Sequence, residues 1–451
     1  MPSFPKSLQQ LGRQFTVLIA IGLSHSVLFA DDWPQWFGPN RDGIWRETGI
    51  IDRFPNSGPK VVWRTPIGAG YSGAAVAKGK VYITDRQPDS DRNREGQKAS
   101  RNPGTDRVLC LDEKTGEIMW KHAYRSDYTV SYPSGPRATP AVDGNKVYSL
   151  GTEGNLLCLS TEEGDIVWKK SLKNDYNPKT QVWGHAASPL VDGDQVIVIP
   201  GGSNTTVVAL DKKTGAERWR SLSTRDPGYC HPIIIESAGI RQLIIWHPES
   251  INSLNPETGE IYWTIHWSIR AGLTIATPRF QGNRLFLSSF YNGSTLLQLG
   301  DTKPTAEIIW QSKKASERDT TELHSIISTP VVAGPYVYGI CSYGQLRCIK
   351  TDSGERVWET FAATTSGSPV RWATAFITPN QDRYFLFNES GDLIIADLTP
   401  KKYDELDRVN LLKPTNGDAR GRLVVWSQPA YANKHIIVRN DEEIIRVSLE
   451  Q

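Results

Sequence analysis

One motif recurs along this chain and constrains the fold more than anything else in it. VLCLDEKTGEIMW (108–120), LLCLSTEEGDIVW (156–168), VVALDKKTGAERW (207–219), INSLNPETGEIYW (251–263) and LRCIKTDSGERVW (346–358) align without gaps. A lengthened copy, LLQLGDTKPTAEIIW, fills 296–310. Trp120, Trp168, Trp219, Trp263, Trp310 and Trp358 follow one another at 48, 51, 44, 47 and 48 residues. Self-similarity at a fixed period of this size means that each copy is one supersecondary unit, which buries its apolar face only against its neighbours.

A second marker falls between the tryptophans: a small residue and Pro, a few apolar residues, a Gly turn, then a hydrophobic strand. ATPAVDGNKVYSL (138–150), ASPLVDGDQVIVI (187–199), ATPRFQGNRLFL (276–287) and STPVVAGPYVYGI (328–340) are clear copies. Weaker ones begin at Cys230-His231-Pro232, Thr374-Ala375 and Ser427-Gln428-Pro429, and AAVAKGKVYIT (74–84) makes eight. Each unit reads as four short strands. In LDEKTGE, Asp112 satisfies turn amides and Gly116 supplies the positive φ of the reversal. Runs such as Val196–Ile199, Leu243–Trp246 and Tyr384–Phe387 are continuously apolar, as strands covered on both faces are.

Four-stranded sheets repeated in this way are the blades of an all-β propeller. The indoles fill the wedges between blades, each burying about 150–250 Å². The last unit has only three strands, Pro429–Ala432, His435–Asn440 and Glu443–Leu449. Its outer strand is supplied by Lys60–Pro66, with Trp63 in the repeat position. N- and C-terminal strands sharing that blade would close the ring and leave no open edge. The seventh unit lacks its tryptophan, and Leu406–Leu412 reads as its outer strand. The expectation is a single eight-bladed propeller over 60–451, with seven blades as the alternative.

Ahead of it lies 31–59, an irregular strap rich in Trp, Gly and Pro, which Trp33, Trp36 and Phe37 would dock onto the ring. Residues 1–30 read as a signal peptide: Lys6 and Arg13, an apolar run from Phe15 to Leu23, and a small residue at Ala30. This places the protein in the periplasm or outside the cell, with no integral span left after cleavage. Removing that segment's two positive charges takes the net charge from +2 to zero. No electrostatic footprint for nucleic acid remains. Cys110, Cys158, Cys230, Cys341 and Cys348 form no CxxC and no disulfide framework. Cys341 and Cys348 flank the turn Tyr343-Gly344-Gln345, so a cross-strand bridge and two buried thiols are both open. The stretch Asp85–Arg107, six basic and five acidic residues without an apolar run, reads as a solvated insertion.

Ligands of propellers gather at the mouth of the central channel, on the loops between each tryptophan and the next small–Pro marker. Those loops carry Arg137, Trp183, His185, Tyr229, His231, Arg270, His324, Arg371, Trp372, Arg420 and Arg422. A ring of cations and aromatics can hold an anionic or planar ligand by forked hydrogen bonds and stacking. The competing reading makes them rim residues paired with acids such as Asp226, Glu322 and Asp418. No HxH or HExxH spacing suggests a metal site, and no GxSxG, P-loop or GxGxxG motif is present.

The xxLDxxTGExxW repeat resembles the tryptophan-docking repeat of pyrroloquinoline quinone (PQQ)-type propellers, across nearly all of 60–451. That superfamily includes quinoprotein alcohol dehydrogenases, an outer-membrane assembly factor and propeller domains of bacterial kinases. Asp32-Trp33-Pro34-Gln35-Trp36-Phe37-Gly38-Pro39-Asn40-Arg41-Asp42-Gly43 is similar to the lead-in of secreted PQQ-like propellers of planctomycete-type bacteria. In the dehydrogenases the resemblance implies PQQ, a Ca²⁺ ion, a catalytic Asp and adjacent cysteines. No Cys-Cys pair exists here. The expectation is a monomeric, non-catalytic binding or scaffolding module for a protein or small-molecule partner, with no metal and no catalytic residue assigned. The alternative is a quinoprotein-like oxidoreductase that uses PQQ and Ca²⁺ to oxidise alcohols or sugars.

Overall fold

The computed structural model describes residues 31–89, 102–178, 180–313, 316–418 and 420–451. The expected signal peptide, 1–30, lies outside them. Eight four-stranded antiparallel sheets form an eight-bladed propeller. In the first blade the strands run Ala75–Ala77, Lys80–Pro88, Gly104–Asp112 and Ile118–Arg125, from the channel outwards. The next six inner strands are Ala141–Asp143, Leu190–Asp192, Ile233–Ser237, Arg279–Gln281, Val331–Ala333 and Ala375–Asn380. In the eighth blade Ala430–Ala432, His435–Arg439 and Glu443–Ser448 are completed by Val61–Pro66, which pairs with Glu443–Ser448. The chain ends thus share one sheet. Among the described residues helix is confined to short pieces such as Leu172–Tyr176.

The tryptophan and the TG turn of the repeat are two halves of one contact. Trp63, Trp120, Trp168, Trp219 and Trp310 donate Nε1–H to the turn carbonyls of Glu113, Thr161, Lys212, Pro256 and Thr351 in the following blade. Each of these indoles lies flat on the turn glycine of that blade: a Cβ on Gly164 would stand 2.5 Å from Trp120. Gly164 has φ +73°, so the glycine is required by backbone conformation and by packing together. Trp358 reaches Thr399 O in the same manner. The fifth unit, lengthened and without the TG turn, offers no such seat, and Trp263 turns to Gln242 Oε1 of its own blade at 3.0 Å.

The seventh blade shows what happens without the indole. A register shift precedes the tryptophan in the outer strands, and by that register Asp407 occupies its place on Tyr403–Asn410. Asp407 Oδ2 accepts from Phe54 N at 2.7 Å, while Arg53 donates to Leu406 O. The N-terminal segment therefore brings Phe54 to this wedge, where it packs against the same apolar cluster as Leu406 and Val409.

The residue before Pro in the marker makes a further link between blades. Thr139 N donates to Ser188 Oγ, Ser188 N to His231 Nδ1, and Thr277 N to Thr329 Oγ1, all near 2.9–3.0 Å. A side chain at the head of one inner strand thus satisfies a backbone amide at the head of the strand before it.

The flanks of Asp85–Arg107 differ from the solvated insertion expected. Strand pairing continues to Pro88 opposite Gly104, bringing Asp85 opposite Arg107 and Arg86 opposite Asp106. Arg86 and Asp106 are fully buried, 2.9 Å apart, with Tyr128 Oη donating to Asp106. Opposite charges at paired positions turn a polar stretch into ladder. Residues 90–101 lie outside the described set. Cys341 and Cys348 are both free and buried. The register explains it: Cys348 stands opposite Tyr338, not Cys341.

Candidate functional site

Inner strands line the axis of a propeller, and here the N-terminal segment is laid across them. Trp33 exchanges two backbone hydrogen bonds with Val76 of the first inner strand, and Val142 N of the second donates to Pro34 O. Arg41 Nη1 donates to Pro189 O beside the third, at 3.1 Å. Trp36 stacks on His231 ahead of the fourth, with ring centres 3.9 Å apart and planes 8° apart. Its Nε1 approaches Thr277 Oγ1, ahead of the fifth, at 3.4 Å. Arg279, within the fifth, donates to Asp42 O. Trp45 pairs with the seventh through Pro379 and Asn380, and Ile51 N reaches Leu449 O in the eighth. The segment Trp33–Ile51 closes the channel from the side of the inner hairpin turns, and its tip rises to the level of the small–Pro markers.

At the opposite, loop-bearing face the candidate residues fall into two groups. Arg137 is spent on its own loop, donating to Gly135 O, Ser131 O and Tyr132 O, with its guanidinium 5.0 Å from the Tyr71 ring centre. His185 is buried against Gly154, and burial pulls its pKa down to about 4. His324 is buried with Nδ1 3.1 Å from Phe290 O, and burial lowers it likewise to about 4. Tyr229 is buried edge-on to Trp183, and burial raises its hydroxyl. His231 accepts an amide on Nδ1, which leaves the ring proton on Nε2, and burial holds its pKa well below the usual range. These five are framework groups in the positions the structure gives them.

Arg270, Arg371 and Trp372 are brought together instead. Arg371 donates to Glu317 Oε1 at 2.8 Å and Tyr291 Oη at 3.3 Å, and its guanidinium lies 4.9 Å from the Trp372 ring. Arg270 sits 4.5 Å over Tyr291, and Arg420 lies 5.4 Å over Trp372. Among the described residues neither Arg270 nor Arg420 meets a carboxylate, and both are exposed. Arg422 pairs with Glu389 and with Asp418 at 3.2 Å, and donates to Arg371 O. The result is one sector of stacked cations on the loops leading into blades five to eight. Across the mouth, Trp183 and Trp372 pack on one apolar cluster.

Of the acids expected to pair with the ring, Asp418 pairs with Arg422. Gly228 N donates to Asp226, and Ser312 donates to Glu322. Glu317, Tyr291 and Glu389 complete the sector without any motif of their own. Trp426, whose Nε1 donates to Glu389 Oε2 at 3.0 Å, carried a signal in lying directly before the Ser427-Gln428-Pro429 marker.

No three His, Cys, Asp or Glu side chains converge as metal ligands among the described residues, and the five thiols are buried in different places without an adjacent pair. No helix among the described residues is long and apolar enough to cross a membrane.

Comparison with known proteins agrees with this architecture. The outer membrane protein assembly factor BamB of Moranella endobia is 25% identical over 193 residues, 39% of this chain and 45% of that protein. The chain spans about half the length of the curated relatives it matches. The crystal structure of BamB from Moraxella catarrhalis superposes with TM-score 0.53 at 16% identity, covering 86% of this chain and 98% of that one. Quinohemoprotein alcohol dehydrogenase from Comamonas testosteroni superposes with TM-score 0.58 at 12% identity, covering 93% and 80%. At these identities the likeness is one of fold. A family model described as outer membrane protein assembly factor BamB matches residues 104–239 and 248–450. The chain belongs to that family of PQQ-repeat propellers.

Proposed function

We propose that this protein is exported and works as a non-catalytic docking module, presenting the stacked cations of its loop face to an acidic surface of a partner protein. The observation that carries the reading is the channel filled by the protein's own segment, with Trp36 seated on His231. A ring closed at its axis leaves the faces for binding. On the loop face Arg270 and Arg420 are exposed and already oriented by Tyr291 and Trp372. Cations held over rings in this way lose little side-chain entropy when a carboxylate arrives. The name of the relatives, assembly factors of the outer membrane, supports a role in holding other proteins. The basic, then apolar, N-terminus supports export.

The test is capture of envelope proteins on immobilised mature chain, compared with the triple variant Arg270→Ala, Trp372→Ala, Arg420→Ala. Partners should be retained at low salt and released at roughly 0.5 M salt, where the Debye length falls to a few ångströms. The triple variant should lose them. Retention unchanged by the triple substitution would sink the loop-face reading. Dye reduction with alcohols or sugars after addition of PQQ and Ca²⁺ would replace it with the oxidoreductase alternative.

A further inference from the structure

One inner strand breaks a rule kept by its equivalents. The residue that opens Arg279–Gln281 is paired with Phe286. In the same register stand Ala75, Ala141, Leu190, Val331 and Ala430, all small or apolar. That position faces the neighbouring blade, where a guanidinium is costly unless its charge is matched. Arg279 nevertheless forms no ion pair with any described residue, and the acceptor it does find is the backbone carbonyl of Asp42. Burial pulls its pKa down to about 10. Beside it lies a cavity of about 220 Å³ between blades five and six, opening among the inner hairpin turns. Arg279, Arg284 and the Gln281–Asn283 turn form its polar wall, and Phe286, Leu296 and Val332 its apolar floor. Arg284 is neutralised by Asp352, while Arg279, its guanidinium 5.8 Å from the Phe37 ring centre, meets a carboxylate among the described residues only through the more distant charge of Asp42.

We propose that this cleft is a binding site for a small carboxylic acid with an apolar body. The carboxylate takes the free edge of the Arg279 guanidinium, and the hydrocarbon part covers Phe286, Leu296 and Val332. The geometry explains why a single blade carries an arginine there and why its packing is open at the same place. The site lies on the opposite face from the Arg371–Trp372 sector, so the two stand or fall separately.

Benzoate is a suitable probe, followed by saturation-transfer NMR on the full mature chain. A ligand of this size should bind with a Kd of about a millimolar. Benzamide, which keeps the ring and loses the charge, should bind roughly tenfold more weakly or worse. Arg279→Gln should weaken benzoate by roughly ten- to a hundredfold, the worth of a charge-assisted hydrogen bond. Because Arg279 also holds the Asp42 carbonyl, Val332→Phe provides a second arm: it fills the cavity, leaves the arginine in place and should abolish binding. Benzoate bound equally by wild type and both variants would overturn the assignment. So would the absence of benzoate binding at about ten times the expected Kd, or inorganic phosphate displacing benzoate at equal concentration.

Discussion

Gly164 answers two requirements at once, and they can be separated by experiment. It lies at φ +73°, which costs a side-chain-bearing residue about 1–2 kcal/mol, and a Cβ there would meet Trp120 at 2.5 Å. Gly144, in the hairpin turn of the same blade, has φ +60° and nothing within 4 Å of the Cβ position. Gly144→Ala should therefore cost only the conformational term, about 1 kcal/mol. Gly164→Ala should cost about 2–4 kcal/mol, because the indole must also leave its seat. Chemical denaturation of both variants reads the difference, and equal losses would mean that the Trp–Gly stacking contributes nothing. The same pairing explains why tryptophan and TG occur together in the sequence although they touch across blades: the glycine of one unit is the seat for the indole of the unit before.

At the scale of the strand, two devices recur. Register shifts stand directly before the tryptophan, as between Cys110 and Leu111 opposite Trp120, or Ala209 and Leu210 opposite Trp219. Such a bulge adds twist to an outer strand, re-aims the indole at the next blade and spoils the edge for intermolecular pairing. It also leaves Ile118 and Met119, or Ile166 and Val167, at the surface. The second device is the inner belt. Ser188→Ala removes the acceptor of the buried Thr139 amide, and should cost about 1–3 kcal/mol, the price of an unsatisfied buried donor. Ser188→Thr should retain most of it, as Thr329 does for Thr277. If alanine and threonine at 188 have equal midpoints in urea, the belt is not a stabilising link. These elements were legible as strands because their patterns are local: apolar runs, Gly turns, a Pro at the head. The belt was not, since a Ser, a Thr and a His share no pattern other than an acceptor atom one residue before proline.

At the scale of the molecule, the ring, its eight blades and its closure could be read from phased tryptophans, because each blade repeats the same short-range chemistry. The filling of the channel could not. Trp33–Ile51 owes its course to partners such as Val76, His231, Thr277 and Asn380, hundreds of residues apart in part, and no periodicity links them. The loop residues were legible as types but not by placement, since burial sorts them: His185, His231 and His324 are buried, whereas Arg371 and Trp372 are half-buried beside the exposed Arg270. That sorting has a consequence for stability against pH. Burial lowers the pKa of His185, His247 and His324 to about 4, against 6.5 unfolded. Below pH 6.5 the unfolded chain binds protons that the folded one refuses, so stability is lost as pH falls toward 4. Each histidine removes roughly 2 kcal/mol between pH 7 and 5. Asp106 acts in the opposite sense: burial raises it to about 6, so protonation below that pH favours the fold by roughly 1 kcal/mol over the same interval. The histidines win by number, and His231, which burial holds well below the usual range, adds to them, so the balance is a loss of at least about 3–5 kcal/mol at pH 5. Denaturation in urea at pH 7 and pH 5 measures it, and His185→Gln should shrink the difference by about 2 kcal/mol if the variant remains folded at pH 7. A stability curve flat between these two pH values would mean that the buried imidazoles accept protons in place, through openings of the ring that the packed wedges do not allow for.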